Sequence, residues 1–164
     1  MSKRKHVIIY TDGACIGNPG PGGYAAVLIY QGKRKEISGG FKNTTNNRME
    51  LMAVIKALEA LKEPCKVTLY SDSQYLVESL NKGWVKRWQS RGWKRNKKDM
   101  AQNIDLWKRL LELLKIHEVE FKWTRGHAGT PENERCDKLA SKAAMQPNLP
   151  EDSGDQEDTD LKLF

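Results

Sequence analysis

The chain has 164 residues, 38% of them hydrophobic and 8% aromatic, with a formal charge of +7, which suits one domain built around a real core. No run approaches the ~20 apolar residues of a membrane span, and the start MSKRKH leads into an apolar strand without a signal-peptide core, so a cytoplasmic monomer is the expectation. Three cysteines without CxxC spacing, Cys15, Cys65 and Cys136, argue against a disulfide framework or a zinc site and for reduced thiols.

The charge is unevenly distributed. Residues 147–164 hold Glu151, Asp152, Asp155, Glu157, Asp158 and Asp160 against one base, Lys162, which leaves the preceding body at +12. So basic a body points to a polyanionic partner such as nucleic acid. The boundary divides the chain into a domain, 1–146, and an acidic tail, 147–164, whose composition predicts disorder.

In chain order, the apolar or alternating runs His6–Tyr10, Tyr24–Tyr30 and Lys33–Phe41 read as strands, and the intervening GNPGPGG and QGK turns make them an antiparallel meander. From Asn46 the period becomes helical, with Leu51, Val54, Ile55, Leu58 and Leu61 on one face as far as Pro64. A strand at Lys66–Tyr70 follows, then short helices at 75–80 and 83–87, a helix at 101–116, a strand at 118–123 and a helix at 131–144 with Thr130 at its N-cap and Pro131 in its first turn. The pattern predicts an α/β fold, a five-stranded mixed sheet flanked by helices.

Two strand ends match: VIIYTDG and VTLYSDS each finish in Tyr, a hydroxyl residue and Asp. If the strands are parallel neighbours, Asp12 and Asp72 share a phase and emerge at one carboxyl edge, where α/β sheets place ligands. Carboxylates on strands about 4.8 Å apart repel unless protons or cations lie between them. Glu50, early in the first long helix, and Asp137, about two turns into the last, can reach the same edge. Hard oxygen ligands favour Mg²⁺ or Mn²⁺ over zinc. Each acid also has an ordinary structural explanation: Asp12 starting a turn, Asp72 capping a helix, Glu50 closing a capping box with Asn47, and Asp137 on a helix surface.

The blocks YTDGACIGNPGPGGYAAVL, TTNNRMELMAVIKALEAL, YSDSQYLVESL, the Trp-rich segment ending RGWK and TRGHAGTPENERCDKLA together resemble bacterial type I ribonuclease H, in order, from about Lys5 to Met145. The resemblance implies the ribonuclease H fold with sheet order 3-2-1-4-5. It also implies endonucleolytic hydrolysis of the RNA strand of RNA/DNA hybrids with two Mg²⁺ ions, Mn²⁺ being a substitute, to leave 5′-phosphate and 3′-hydroxyl ends. Asp12, Glu50, Asp72 and Asp137 match the family's catalytic acids. Asp12 would bridge the two ions, with Asp72 on the attacking-water side supported by Asp137 and Glu50 on the leaving-group side. His127 matches a mobile-loop histidine that assists proton transfer or product release. Asn18, Asn46, Asn47 and Gln74 match hybrid contacts, Thr45 and Asn103 a DNA-phosphate pocket, and Trp84 an aromatic that packs on DNA sugar. Alternatives are a hybrid-binding module without catalysis and another nuclease of the same superfamily.

Between Gly83 and Lys98 lie seven bases, Lys86, Arg87, Arg91, Lys94, Arg95, Lys97 and Lys98, three tryptophans and no acid. The bases suit phosphates; Trp88 and Trp93 are expected to pack. The end DLKLF, Asp160, Leu161, Lys162, Leu163 and Phe164, resembles the peptides with which bacterial replication enzymes hold the sliding clamp, its first position departing from the usual Gln. An acidic segment ending in Phe also resembles the tail of bacterial single-stranded-DNA-binding protein, which opens the option of self-mimicry.

Overall fold

The computed structural model describes residues 4–125, 130–153, 163 and 164. Three strands form the meander, β1 Lys5–Cys15, β2 Gly20–Tyr30 and β3 Lys33–Thr44. Helix α1, Asn46–Glu59, carries the chain to β4, Cys65–Ser71. Helices α2 Gln74–Asn81, α3 Trp84–Ser90 and α4 Ile104–Ile116 precede β5, Glu118–Trp123, and helix α5, Pro131–Ala144.

The sheet has the order β3-β2-β1-β4-β5, antiparallel through the meander and parallel from β1 to β5. This is the order that the family resemblance implied, with the antiparallel meander read from the turns. The alternation of β2 shows how two layers form: Ala26 and Leu28 face the core beneath α1, whereas Ala25 and Val27 meet Cys136 and Ala140 of α5. Helix α1 has every residue from Met49 to Leu58 buried, because the sheet covers one side and α4 and α2 pack on it as well. An apolar surface on more than one face is therefore a requirement of its position.

The meander strands outrun their sequence boundaries. β1 continues five residues beyond Tyr10, still paired to β2, whereas its pairing with β4 ends at Tyr10 opposite Tyr70. Asp12 thus sits inside a strand, where one neighbour has dropped away, and not in a turn. Glycines 20, 22 and 23 lie in β2, so the turn itself is confined to residues 16–19. Gly23 is forced by packing: a Cβ there would lie 2.0 Å from the Ala140 carbonyl oxygen, so its absence lets α5 press onto the sheet.

Several caps differ from expectation. Thr45 caps α1 by accepting from the Arg48 N–H, and Ser73 caps α2 by accepting from the Leu76 N–H, so neither Asn47 nor Asp72 serves as a cap. Helix α4 starts three residues later than its periodicity predicts, because Asn103 adopts a left-handed conformation (φ 60°) ahead of it. Thr130 is the N-cap of α5 and Pro131 opens its first turn, as expected, but the Thr130 side chain makes no cap bond. Among the described residues the three thiols are free, and no helix is long and apolar enough to cross a membrane. The described tail residues rest against the body: the Lys42 N–H donates to the Pro150 carbonyl, the Asp152 side chain is buried against Arg48, and Phe164 joins the core. Composition could not foresee these contacts, because each depends on a distant surface.

Candidate active site

The register Tyr10 opposite Tyr70, reinforced by their rings stacked at 4.9 Å, puts Asp12 and Asp72 at equivalent positions beyond the parallel pairing. Helix α1 begins beside that edge. Gly13 permits the approach: a Cβ there would lie 2.5 Å from the Glu50 nitrogen, so any side chain would push the helix, and Glu50 with it, away from Asp12. As a result one carboxylate oxygen from each of Asp12, Glu50 and Asp72 falls within 4.8 Å of the others.

These groups line a cleft of about 390 Å³ together with Asn46, Asn47, Gln74, Tyr75, Asn133, Glu134 and Asp137. All four acids singled out in the sequence therefore meet, along with three of the four amides. The fourth, Asn18, is close by, its Oδ1 accepting from the Asn46 N–H at 2.9 Å, which ties the β1–β2 turn to the start of α1. Asn133 and Glu134 were not foreseen. They precede Asp137 by four and three residues on a helix, a spacing that puts them on its face.

The cleft is electrostatically strained. Asp12 is 8% exposed and Glu50 3%. Burial, then repulsion from Asp72, raises the Asp12 carboxyl to about 7, against the opposing hydrogen bonds from Glu50 and from the Gly13 N–H. Glu50 is raised well above the usual range, first by burial and then by the charges of Asp12 and Asp72. Glu50 Oε2 is buried with no hydrogen-bond partner among the described residues. A buried acceptor costs ~1–3 kcal/mol when unsatisfied, and a cation would meet that need. Among the described residues the cluster offers three carboxylates and no nitrogen or sulfur donor, a set that fits a hard divalent ion.

The other candidates lie outside this cleft. Thr45 and Asn103 are linked through Arg48, whose backbone N–H donates to Thr45 Oγ1 at 3.3 Å and whose guanidinium donates to Asn103 Oδ1 at 3.4 Å. Trp84, Arg87, Trp88, Arg91 and Arg95 surround a separate hollow of about 340 Å³. The helical spacing of 84, 87, 88 and 91 explains the shared face. Lys86 faces elsewhere, lining another hollow with Gln89, Leu114 and Lys115, and so does not join Arg87 and Arg91. Lys94 is exposed and pairs its backbone with Met100. Trp88 and Trp93 pack against the core as expected. His127 lies outside the described residues.

The RNase H family model matches residues 4–145. Ribonuclease H of Desulforamulus reducens is 63% identical over 90% of this chain and 93% of its own length, and that of Trichodesmium erythraeum is 60% identical over 94% and 98%. Among solved structures, LC9-RNase H1, a type 1 RNase H, is 33% identical with a TM-score of 0.81, covering 98% of this chain and 81% of that one. LC11-RNase H1, solved in complex with RNA/DNA hybrid, is 25% identical with a TM-score of 0.64, covering 84% and 96%. A family match across nearly the whole body, joined to this sheet order and this cluster of acids, leads to one conclusion: the chain belongs to the ribonuclease H family.

Proposed function

We propose that the chain is an endoribonuclease that hydrolyses the RNA strand of RNA/DNA hybrids, with residues 1–146 as the catalytic domain and Asp12, Glu50, Asp72 and Asp137 as its acidic set. The observation that carries the reading is the convergence of three carboxylate oxygens within 4.8 Å around a buried oxygen that lacks a partner. Mg²⁺ is the proposed cofactor, with Mn²⁺ able to replace it. Divalent ions held there supply positive charge to the attacking and leaving oxygens of a phosphodiester.

The chain's own groups set the rest. Asp12 shares the cluster with Glu50 and Asp72 and would serve both sides of it, whereas Asp137 borders the cleft from α5. Asn46, Asn47 and Gln74, with Asn18 beside them, carry amides that both donate and accept, which suits 2′-hydroxyls and base edges across a wide minor groove. The DNA strand would follow Thr45 and Asn103 toward Trp84, Arg87 and Arg91, with Lys94 and Lys86 adding charge from the flanks. Its phosphates give binding a salt dependence. His127 would pass protons near the cleft, as an imidazole can close to neutral pH.

The enzyme would act as a cytoplasmic monomer. A sliding-clamp contact through Asp160–Phe164 would require Leu163 and Phe164 to leave the body.

The test is cleavage of matched RNA/DNA, RNA/RNA and DNA/DNA duplexes with Mg²⁺ or with EDTA. The expected result is cutting of the hybrid alone, and only with the metal. Cutting in EDTA, or equal cutting of the three duplexes, overturns the proposal.

A further inference from the structure

Helix α1 starts at the acids and ends, after 14 residues or about 21 Å, at the opposite edge of the sheet. There the last two residues of the chain are seated. The Leu163 N–H donates to the Ala60 carbonyl at 2.6 Å, and the Phe164 carbonyl accepts from the Lys62 N–H. Ala60 is the C-cap of α1, so its carbonyl is among those that a helix end leaves without an internal partner. The Phe164 side chain is 6% exposed, and its ring meets that of Tyr30 at 5.7 Å and 60°.

Two backbone hydrogen bonds beside one pocketed aromatic side chain are the ingredients of peptide recognition by strand addition. Nearby, the Lys5 ammonium lies 5.4 Å from the Tyr30 ring centre and 3.2 Å from Glu63, and Lys62 meets the occupant through its backbone N–H. The segment leading to Leu163 contains Asp155, Glu157, Asp158 and Asp160 against one Lys162, a charge complementary to Lys62 and to Lys5, which it would share with Glu63. The slot belongs to the matched family domain, whereas its occupant lies beyond residue 145, where that match ends.

We propose that Tyr30, Ala60 and Lys62 form a peptide-binding site for an acidic segment ending in Leu-Phe, filled by residues 163 and 164 of the same chain. Nine residues separate Ser153 from Leu163. A tether this short holds its end at an effective concentration on the order of millimolar, so a contact too weak to persist between separate molecules is kept closed within one. A segment of the same chemistry arriving from outside must compete with it. The slot is remote from the acids, which makes it a second site and not part of the cleavage machinery.

The experiment measures fluorescence anisotropy of a labelled peptide reproducing residues 154–164, added to the full chain and to its Phe164→Ala variant, with circular dichroism to establish that both melt cooperatively. The variant, its slot vacated, is expected to bind the peptide about tenfold more tightly than the intact chain, whose own end competes. Adding Tyr30→Ala, or replacing the peptide's Phe by Ala, should abolish that gain. Equal binding by both proteins, or equal binding of the peptide without its Phe, overturns the proposal. Hydrogen exchange supplies an independent measure on the intact chain: the Lys62 and Leu163 amides are expected to be protected, and exchange at the rate of an unfolded peptide would sink the idea without any variant.

Discussion

Two residues apart on α1, Arg48 and Glu50 stand in opposite electrostatic worlds. Two steps along a helix turn the side chain by about 200°, so the two point away from each other. Around Glu50 the carboxylates of Asp12 and Asp72 crowd in, one oxygen from each of the three within 4.8 Å of the others. Around Arg48, two carboxylates gather on one guanidinium: Asp105 at 2.7 Å and Asp152 at 2.6 Å. The same physics gives opposite signs. Arg48 lowers the Asp105 carboxyl below its usual value, whereas burial and mutual repulsion raise Asp12 and Glu50. A fold that gathers Asp105 and Asp152 on one guanidinium, yet crowds these carboxylates against each other, offers a cation from solution a ready site.

The largest expected effect comes from removing a charge at the centre of the crowded cluster. Asp12→Asn should lower hybrid cleavage by about 10³-fold or more, because the carboxylate proposed to serve both sides of the site is lost. Without metal, the same variant should melt higher than the parent, since one of the repelling charges has gone. A variant that keeps a tenth of the activity, or melts lower in EDTA, would break the contrast.

The paired cluster should respond the other way. Arg48→Ala leaves Asp152, whose side chain is 2% exposed, buried with the Thr44 hydroxyl, 2.5 Å away, as its one remaining side-chain partner among the described residues. Loss of one partner of a buried pair costs about 3 kcal/mol, roughly 10 °C in melting temperature for a chain of this size. Thermal denaturation in EDTA measures it, and a loss under 2 °C would show that the clasp contributes little.

Acidity separates the clusters without mutation. Asp12 binds its proton more tightly folded, at about 7, than unfolded, at about 3.9. Between those values the folded chain holds the extra proton, so this group's contribution favours folding at low pH and is lost as pH rises toward 7. Asp105, lowered in the fold, contributes above its unfolded value of about 3.9 and loses that contribution on acidification. In EDTA, raising the pH from 5 to 8 should therefore cost the parent about 1–2 kcal/mol more than Asp12→Asn. Mg²⁺ should restore stability at pH 8 and do little at pH 5. Parallel melting curves for the two proteins across this range would remove the electrostatic strain from the account.

The two neighbourhoods also differ in what the sequence discloses. Tyr10-Thr11-Asp12 and Tyr70-Ser71-Asp72 announce their cluster because strand phase is local and a parallel register then aligns the ends. The antiparallel meander follows from equally local patterns, whereas the complete sheet order comes from the family resemblance. Asp152 is different, lying 104 residues from Arg48 within a segment whose composition predicts disorder. Nothing local marks it as a buried partner. The extension of β1 past Tyr10 was hidden too, because it depends on pairing with a strand of glycines that reads as a turn. Gly13 illustrates the same limit: its need for a missing Cβ exists only once α1 lies against it.

The smallest effect belongs to a third carboxylate, which tests whether pairing alone or pairing with burial gives the Arg48 clasp its strength. Glu36 on β3 receives hydrogen bonds from Arg34 at 2.7 Å and from Arg135 of α5 at 2.8 and 3.1 Å, and chiefly through Arg135 its carboxyl falls to about 2. By that measure it is better paired than Asp105. It nonetheless lies at the surface, where water and salt compete for every charge, so the lowered value overstates its worth and Glu36→Gln should cost under about 1 kcal/mol. The cost should shrink further in 1 M salt, where screening acts over about 3 Å, whereas that of Arg48→Ala should persist. A Glu36→Gln variant that melts as low as Arg48→Ala, at low or high salt, would mean that exposure does not discriminate the pairs and that the two clasps owe their strength to hydrogen-bond geometry alone.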